Sequence, residues 1–168
     1  AALEQLARDK GATVFMVTHA VWAAVLARLS ASTDIAIGTP ILGRTDAALE
    51  DVIGMFVNTL VLRSSVEPQM TFDDLIAQVR DVDLTAFAQA DVPFERLVEV
   101  LNPVRSTARH PLFQVALSFQ NLPQTRFELS GLTVSPIVAD AEISQFDLHL
   151  MLTDTHATDG SASGITGR

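Results

Sequence analysis

The sequence predicts an α/β (α+β) two-layer sandwich with a mixed sheet, and three observations predict it. Stretches 14–30 and 72–87 carry apolar residues at helical spacing, several short stretches carry the apolar run or two-residue alternation of strands, and the two kinds are interleaved. The order is helices, strand, strand, helices, then three strands. At 168 residues and 18.1 kDa the chain has the length of one ordinary domain, and its 48% hydrophobic content and mean hydropathy of +0.30 exclude a disordered chain.

Residues 2 to 9 read as a helix stopped by Gly11, with Arg8 and Lys10 suited to the negative end of its dipole. Thr13 can cap the next, "VFMVTHAVWAAVLARLS", where Val14, Val17, Val21 and Val25 make one stripe and most other positions are also apolar. A helix apolar nearly all round belongs in an interior or an interface. "DIAIGTP" at 34 to 40 reads as a short strand ended by Gly38 and Pro40, and a polar connection leads to "IGMFVNTLVLR" at 53 to 63, a buried strand interrupted by Asn58.

Thr71 and Asp74 form a shortened capping box ahead of Phe72, Leu75, Ile76, Val79, Val82, Ala86 and Phe87, spaced as the core face of a helix. "DVPFERLVEVL" at 91 to 101 follows, with Asp91 as cap, Pro93 in the first turn and Phe94, Leu97, Val98 and Leu101 on one face; Asn102 and Pro103 end it. Phe113, Val115, Leu117 and Phe119 alternate with Gln114, Ala116, Ser118 and Gln120, the pattern of a strand with one buried face. "LTVSPIV" at 132 to 138 and "FDLHLMLT" at 146 to 153 extend the sheet.

Composition narrows the chemistry. The net charge is −9 and the 11 basic residues are scattered singly, which argues against nucleic acid as a partner. There is no cysteine, and no apolar run reaches the ~20 residues that span a bilayer, so neither thiolate chemistry nor a membrane is expected and a cytoplasmic setting fits. His19, His110, His149 and His156 are too far apart for a local metal motif, and no metal is expected. His149 is expected on the opposite sheet face from Leu148 and Leu150, and His19 packed within its apolar helix.

"GSASG" at 160 to 164 has Ala162 where a nucleophile elbow has serine and reads as a flexible loop, and "GTPILGR" lacks the spacing and lysine of a P-loop. Gly38, Gly43 and Gly54 read as tight turns or close backbone approaches. The acidic pairs Asp73 with Asp74 and Glu50 with Asp51 read as caps and solvated faces. Asn58 remains: an unpaired buried amide costs about 1–3 kcal/mol, so either neighbouring backbone satisfies it or a cavity uses it.

Three stretches in order, "IGMFVNTLVLR", "DVPFERLVEVL" and "RSTARHPLFQVALSF" at 105 to 119, resemble the condensation domain of nonribosomal peptide synthetases, over roughly residues 10 to 168. "DIAIGTPILGRTDAALEDVIG" and "FDLHLMLTDT" are also similar to that family. The resemblance implies one lobe of a fold like chloramphenicol acetyltransferase: two lobes in a V with the active site in a tunnel between them, this chain being the C-terminal lobe. Residues 1–168 are then expected to be a partial condensation domain taken from a longer multidomain chain.

The implied reaction joins a donor acyl or peptidyl thioester to an acceptor aminoacyl thioester through an amide bond. Both substrates are carried on the phosphopantetheine arms of donor and acceptor carrier proteins, and no cofactor is bound directly. Other implied partners are the N-terminal lobe and an adjacent adenylation domain. The family's His-His-x-x-x-Asp-Gly motif belongs to the first lobe and does not occur here, so no catalytic residue is expected in this chain and the chain alone is expected to be inactive.

The resemblance places Gly54, Phe56, Asn58 and Thr59 beside the tunnel, with the Asn58 amide free to bond substrate, pantetheine or the facing lobe. Arg109, His110 and Pro111, and Asp91, Pro93, Phe94 and Glu95, are expected to be architectural, Arg109 by anchoring its loop to a carboxylate or carbonyl and Pro111 by biasing His110 toward extended geometry. Two other readings share the fold: a degenerate condensation-like domain that recruits another protein, and an epimerization domain, against which "FVNT" argues.

Overall fold

The computed structural model describes residues 2–44, 47–49, 51–120, 131–132, 145–156 and 162–168. In chain order these form α1 (Ala2–Asp9), α2 (Val14–Ser30), β1 (Asp34–Ile41), β2 (Asn58–Ser65), α3 (Phe72–Ala88), α4 (Phe94–Leu101), β3 (Val115–Gln120), β4 (Leu148–His156) and β5 (Ala162–Gly167), with a single 3-10 turn at Ala47–Leu49. The sheet runs β2-β1-β3-β4-β5. Its outer pairs β1/β2 and β4/β5 are antiparallel, its inner pairs β1/β3 and β3/β4 parallel. The mixed two-layer arrangement is the one the sequence predicts.

The two long helices begin where their caps are. Thr13 Oγ1 accepts from Met16 N and Thr71 Oγ1 from Asp74 N, while the Asp74 carboxylate accepts back from Thr71 N. One core cluster joins α2 to α3 through Met16, Ala20, Leu75, Ile76 and Val79. A second seats α2 on the sheet through Ala23, Leu26, Ile35, Ile37 and Leu117. The buried face of α2 is therefore not the valine stripe: Val17 is fully buried, but Val21 and Val25 are exposed and Ala20 and Ala23 face inward. Small residues there allow the helix axis to approach its neighbours, and in a helix apolar on every side the stripe of largest residues has no special claim on the core. On α3, Leu75, Ile76 and Val79 are buried as expected; Phe72 and Phe87 are partly exposed and Asp83 is fully buried.

Four further expectations are corrected. β1 runs through Gly38 and Pro40 to Ile41, because its pairing to β3 ends at Gly38 and leaves the imide of Pro40 without a ladder bond to break. β2 starts at Asn58 rather than Ile53: residues 53–57 form no strand, with Ile53 and Met55 almost fully exposed. In β3 the polar alternate is solvated only at its end: Ala116 and Ser118 are buried along with Leu117, Ser118 against His149 of β4, while Gln120 is exposed. Finally, residues 162–164 of the stretch 160–164 read as a flexible loop belong to β5, which pairs with β4. "LTVSPIV" lies almost entirely outside the described residues.

Ile35, Ile37, Leu117, Leu150 and Leu152 point toward the helices, so Gly38, Ala116, Ser118 and His149 lie on the opposite face. There the ring of Phe113 fills the space where a Cβ on Gly38 would stand. At the β1/β2 edge Arg63 makes a two-point ion pair with Asp34, at 2.7 and 2.8 Å, and this hydrogen bonding holds the Asp34 carboxyl below the usual carboxylate range. No single helix among the described residues is long and apolar enough to cross a membrane.

Candidate functional site

Parallel strands expose their carbonyl ends at one edge of a sheet, and in open sheets ligands bind in the crevice outside those ends. The carboxyl ends of parallel β1 and β3 lie side by side here and border a groove of about 230 Å³, lined by Pro40, Ile41 and Leu42, by Val57, and by Ser118, Phe119 and Gln120. Val57 enters from the segment that carries Gly54 and Phe56.

That segment is shaped by two residues ahead of it. Gly43 adopts φ +59°, and a Cβ there would overlap the Phe56 carbonyl, so the 52–57 segment can fold back against residue 43 because it is glycine. Arg44 donates to the carbonyls of Leu49 and Val52 and sets its guanidinium 4.3 Å from the centre of the Phe56 ring. Phe56 is half-buried under that cation, while Gly54 is exposed beside the same ring. Thr59, half-buried, follows on β2.

Asn58 turns out to be occupied. Its Nδ2 donates to the carbonyls of Ala90 (2.9 Å) and Val92 (2.8 Å), and its Oδ1 accepts from the backbone N–H groups of Thr59 (2.8 Å) and Phe94 (3.1 Å). The amide thus satisfies two donors and two acceptors on backbone. The direct bond to substrate or pantetheine expected for it is replaced by a positioning role: it ties the start of β2 to the turn between α3 and α4. It also caps α4 from a distance, since Phe94 N–H is the first free donor of that helix and Pro93, at the N-cap, has no side-chain group to offer. The cap expected of Asp91 is corrected accordingly; Asp91 is exposed.

The remaining motif residues gather elsewhere. His110 stacks on Phe94 at 5.4 Å and contacts Phe113 at 4.2 Å, while Phe146 packs against both His110 and Phe113. Nδ1 of His110 donates to the Pro111 carbonyl at 2.9 Å and its own carbonyl accepts from Gln114 Nε2, so the ring and backbone are both fixed. Glu95, Arg105 and Arg109 border a second, shallow groove of about 600 Å³ between α4 and the 103–111 loop. Arg109 is exposed and makes no hydrogen bond or ion pair among the described residues, so the expected anchoring of its loop is supplied instead by His110 and Gln114.

Two histidine clusters were not legible as such. His19 and Asp83 are fully buried, with His19 Nδ1 2.9 Å from Asp83 Oδ1 and its Nε2 3.4 Å from the Ser64 hydroxyl, so the histidine expected simply to pack within its helix joins α2, α3 and β2. On the other sheet face Ser118 Oγ lies 2.8 Å from His149 Nε2. Burial, and then the nearby charge of Arg168, push the His149 imidazole below its ordinary value of 6.5. The sequence signal for that pair was present but faint: both residues fall on the polar alternate of an otherwise apolar strand. No cluster of three or more metal-ligating side chains occurs among the described residues.

Comparison with known proteins decides the family. A family model for the condensation domain matches residues 1–160. The chain belongs to the condensation-domain family. It is 46% identical over 165 residues to a dimodular nonribosomal peptide synthase of Bacillus subtilis and 41% identical over 165 residues to an isonitrile lipopeptide synthase of Mycobacterium tuberculosis, in each case over 98% of this chain and 7% of the relative. Among solved structures it superposes on the X-domain from teicoplanin biosynthesis with a TM-score of 0.89 and 31% identity, over 99% of this chain and 38% of that one. The condensation domain of the Monacolin K polyketide synthase MokA follows at TM-score 0.74 and 25% identity, over 90% of this chain and 35% of that one. These matches bear out the condensation-domain resemblance and its chloramphenicol acetyltransferase-like fold.

Proposed function

We propose that this chain is the C-terminal lobe of a condensation domain that joins a donor acyl or peptidyl thioester to an acceptor aminoacyl thioester, forming an amide bond. The observation that carries the reading is the groove at the carboxyl ends of β1 and β3, bordered by the segment with Gly54, Phe56 and Val57 and braced by Asn58. An extended thioester arm needs an open-ended channel with rigid walls, and the Gly43–Arg44 clamp and the Asn58 bonds supply rigidity where a loop would otherwise move. Substrates reach it on the phosphopantetheine arms of donor and acceptor carrier proteins, and the N-terminal lobe and an adjacent adenylation domain complete the working unit in the cytoplasm.

Chemistry in this reading is divided between lobes. The chain carries no His-His-x-x-x-Asp-Gly sequence, so the lobe alone forms no amide. The test is to load both carriers and follow product by mass spectrometry with the complete domain and with residues 1–168 by themselves. Product from the complete domain and none from the fragment is expected; product from the fragment alone overturns the division.

A second reading is a recruitment module. It draws on the X-domain likeness, because that domain has also been solved in a complex with OxyB. A complete domain that makes no amide yet holds a second protein in a stable complex would favour it.

A further inference from the structure

Ser118 stands between two environments. Ser118 lines the groove at the end of β3, and its Oγ is 2.8 Å from His149 Nε2 on β4. Ser118 is buried, with 8% of the residue exposed, whereas His149 is exposed, its ring held edge-on at 5.7 Å by Phe146. The two side chains share the sheet face turned away from α2 and α3, on adjacent parallel strands whose register is fixed over six residue pairs. The amide-forming reading gives this pair no task.

The pair has the polarity of a proton acceptor. With the imidazole neutral and its proton on Nδ1, Nε2 accepts from Ser118 O–H, and the serine oxygen then turns its lone pairs toward the groove. Although the residue is exposed overall, desolvation of its ring by the protein around it, and then the Arg168 charge, favour that neutral state. An oxygen so arranged accepts from an N–H donor. Amide formation brings such a donor, because an amine that attacks a thioester becomes cationic at nitrogen and must lose a proton.

We propose that Ser118 and His149 form a proton relay for the amine of the acceptor substrate, Ser118 touching the amine and His149 acting through it as a positioning and proton-holding residue. The proposal rests on the amide-forming reading and adds to the histidine motif expected in the first lobe. In the step, the amine nitrogen bonds to the thioester carbonyl carbon and the π electrons move to oxygen. One N–H proton passes to Ser118 Oγ as the serine's own proton passes to His149 Nε2. When the carbonyl re-forms the C–S bond breaks, and the thiolate is protonated by the reverse route, leaving amide, thiol and the original pair.

The test uses the complete synthetase with both carriers loaded. Positioned proton transfer contributes about 10²–10⁴-fold, and with a second proton-handling group in the other lobe we expect Ser118→Ala and His149→Gln each to lower kcat by about 10- to 100-fold. KM for the loaded acceptor carrier should stay within about twofold, and the double variant should be no worse than the worse single, because the two act as a unit. Ser118→Thr keeps the hydroxyl and should retain most of the rate. His149→Gln changes an exposed residue, so it keeps the test open if Ser118→Ala fails to fold. A His149→Gln enzyme with kcat within about twofold of wild type overturns the relay, as does a double variant with fully additive losses. A wild-type synthetase that yields no amide overturns the functional reading, and the relay with it.

Discussion

A single amide can serve as capping group, strand anchor and loop clamp when every one of its hydrogen-bonding positions is filled, and Asn58 is so filled. Asn58→Ala removes four bonds and leaves the Phe94 N–H and the Ala90 and Val92 carbonyls to find other partners. Each such loss is worth about 0.5–1.5 kcal/mol where water can enter, and loss of a cap about 1 kcal/mol. We therefore expect Asn58→Ala to destabilise the complete domain by about 2–3 kcal/mol in urea unfolding, with faster hydrogen exchange at Phe94. Asn58→Asp should not rescue it, since it keeps the acceptor and places an anion against two carbonyls. The sequence marked Asn58 as a polar residue in need of partners; it did not reveal them, because all but the adjacent Thr59 N–H lie 32 to 36 residues away and depend on how α3 ends. His149 offers a second check at this scale. Its folded-state value lies below the ordinary 6.5, so the folded chain binds this proton less readily than the unfolded one, and the stability present above 6.5 declines as pH falls from 6.5 through the lowered value. An NMR titration should find His149 below 6.5, and Arg168→Gln should raise it.

At the scale of elements, the helix layer is held to the sheet by apolar packing plus one buried polar cluster. His19, Asp83 and Ser64 come one each from α2, α3 and β2, and Asp83 Oδ2 has no partner among the described residues. Removing one member strands the others in a dry interior. Asp83→Ala should cost about 3 kcal/mol, and a double-mutant cycle with His19→Ala should return a coupling of about 1 kcal/mol or more. A coupling near zero would mean that the contact adds nothing to helix docking. On the opposite face, Gly38→Ala would drive a methyl group into the buried Phe113 ring and should destabilise the domain by about 1–3 kcal/mol, with partial recovery in Gly38→Ala/Phe113→Leu. α2 and α3 were legible because Thr13 and the Thr71–Asp74 box announce their starts in local sequence. The start of β2 was not. "IGMFV" has a strand's composition, but Gly43 and Arg44 fold it into a loop, and a strand begins only where a neighbouring strand is present to pair with it. β5 was missed for the converse reason: Ala162–Gly167 shows no apolar alternation, and it pairs with β4 through the backbone ladder and a bond from Thr155 Oγ1 to the Gly164 carbonyl.

For the molecule as a whole, the distribution of apolar surface bears on whether the lobe works alone. Ile53 and Met55 are almost fully exposed and Val57 and Leu42 more than half so, all in the segments that border the groove. Single exposed apolar residues are ordinary, but four on adjoining segments beside a candidate channel form a surface that water wets poorly. Val104, 96% exposed, adds another at the second groove. If a first lobe faces the groove, these residues become a shared wall, and the separate lobe should self-associate through them. Light scattering on residues 1–168 alone should then show oligomers that grow with concentration, and Ile53→Ser/Met55→Ser should reduce them without lowering the unfolding midpoint, since neither side chain packs in the core. Co-expression with the preceding half of the domain should give a uniform one-to-one complex in which both residues are protected from solvent labelling. A monodisperse monomer at high concentration, with Ile53 and Met55 still accessible in the two-lobe complex, would show that the groove is not an inter-lobe wall and would remove the geometric support for a tunnel at this edge of the sheet.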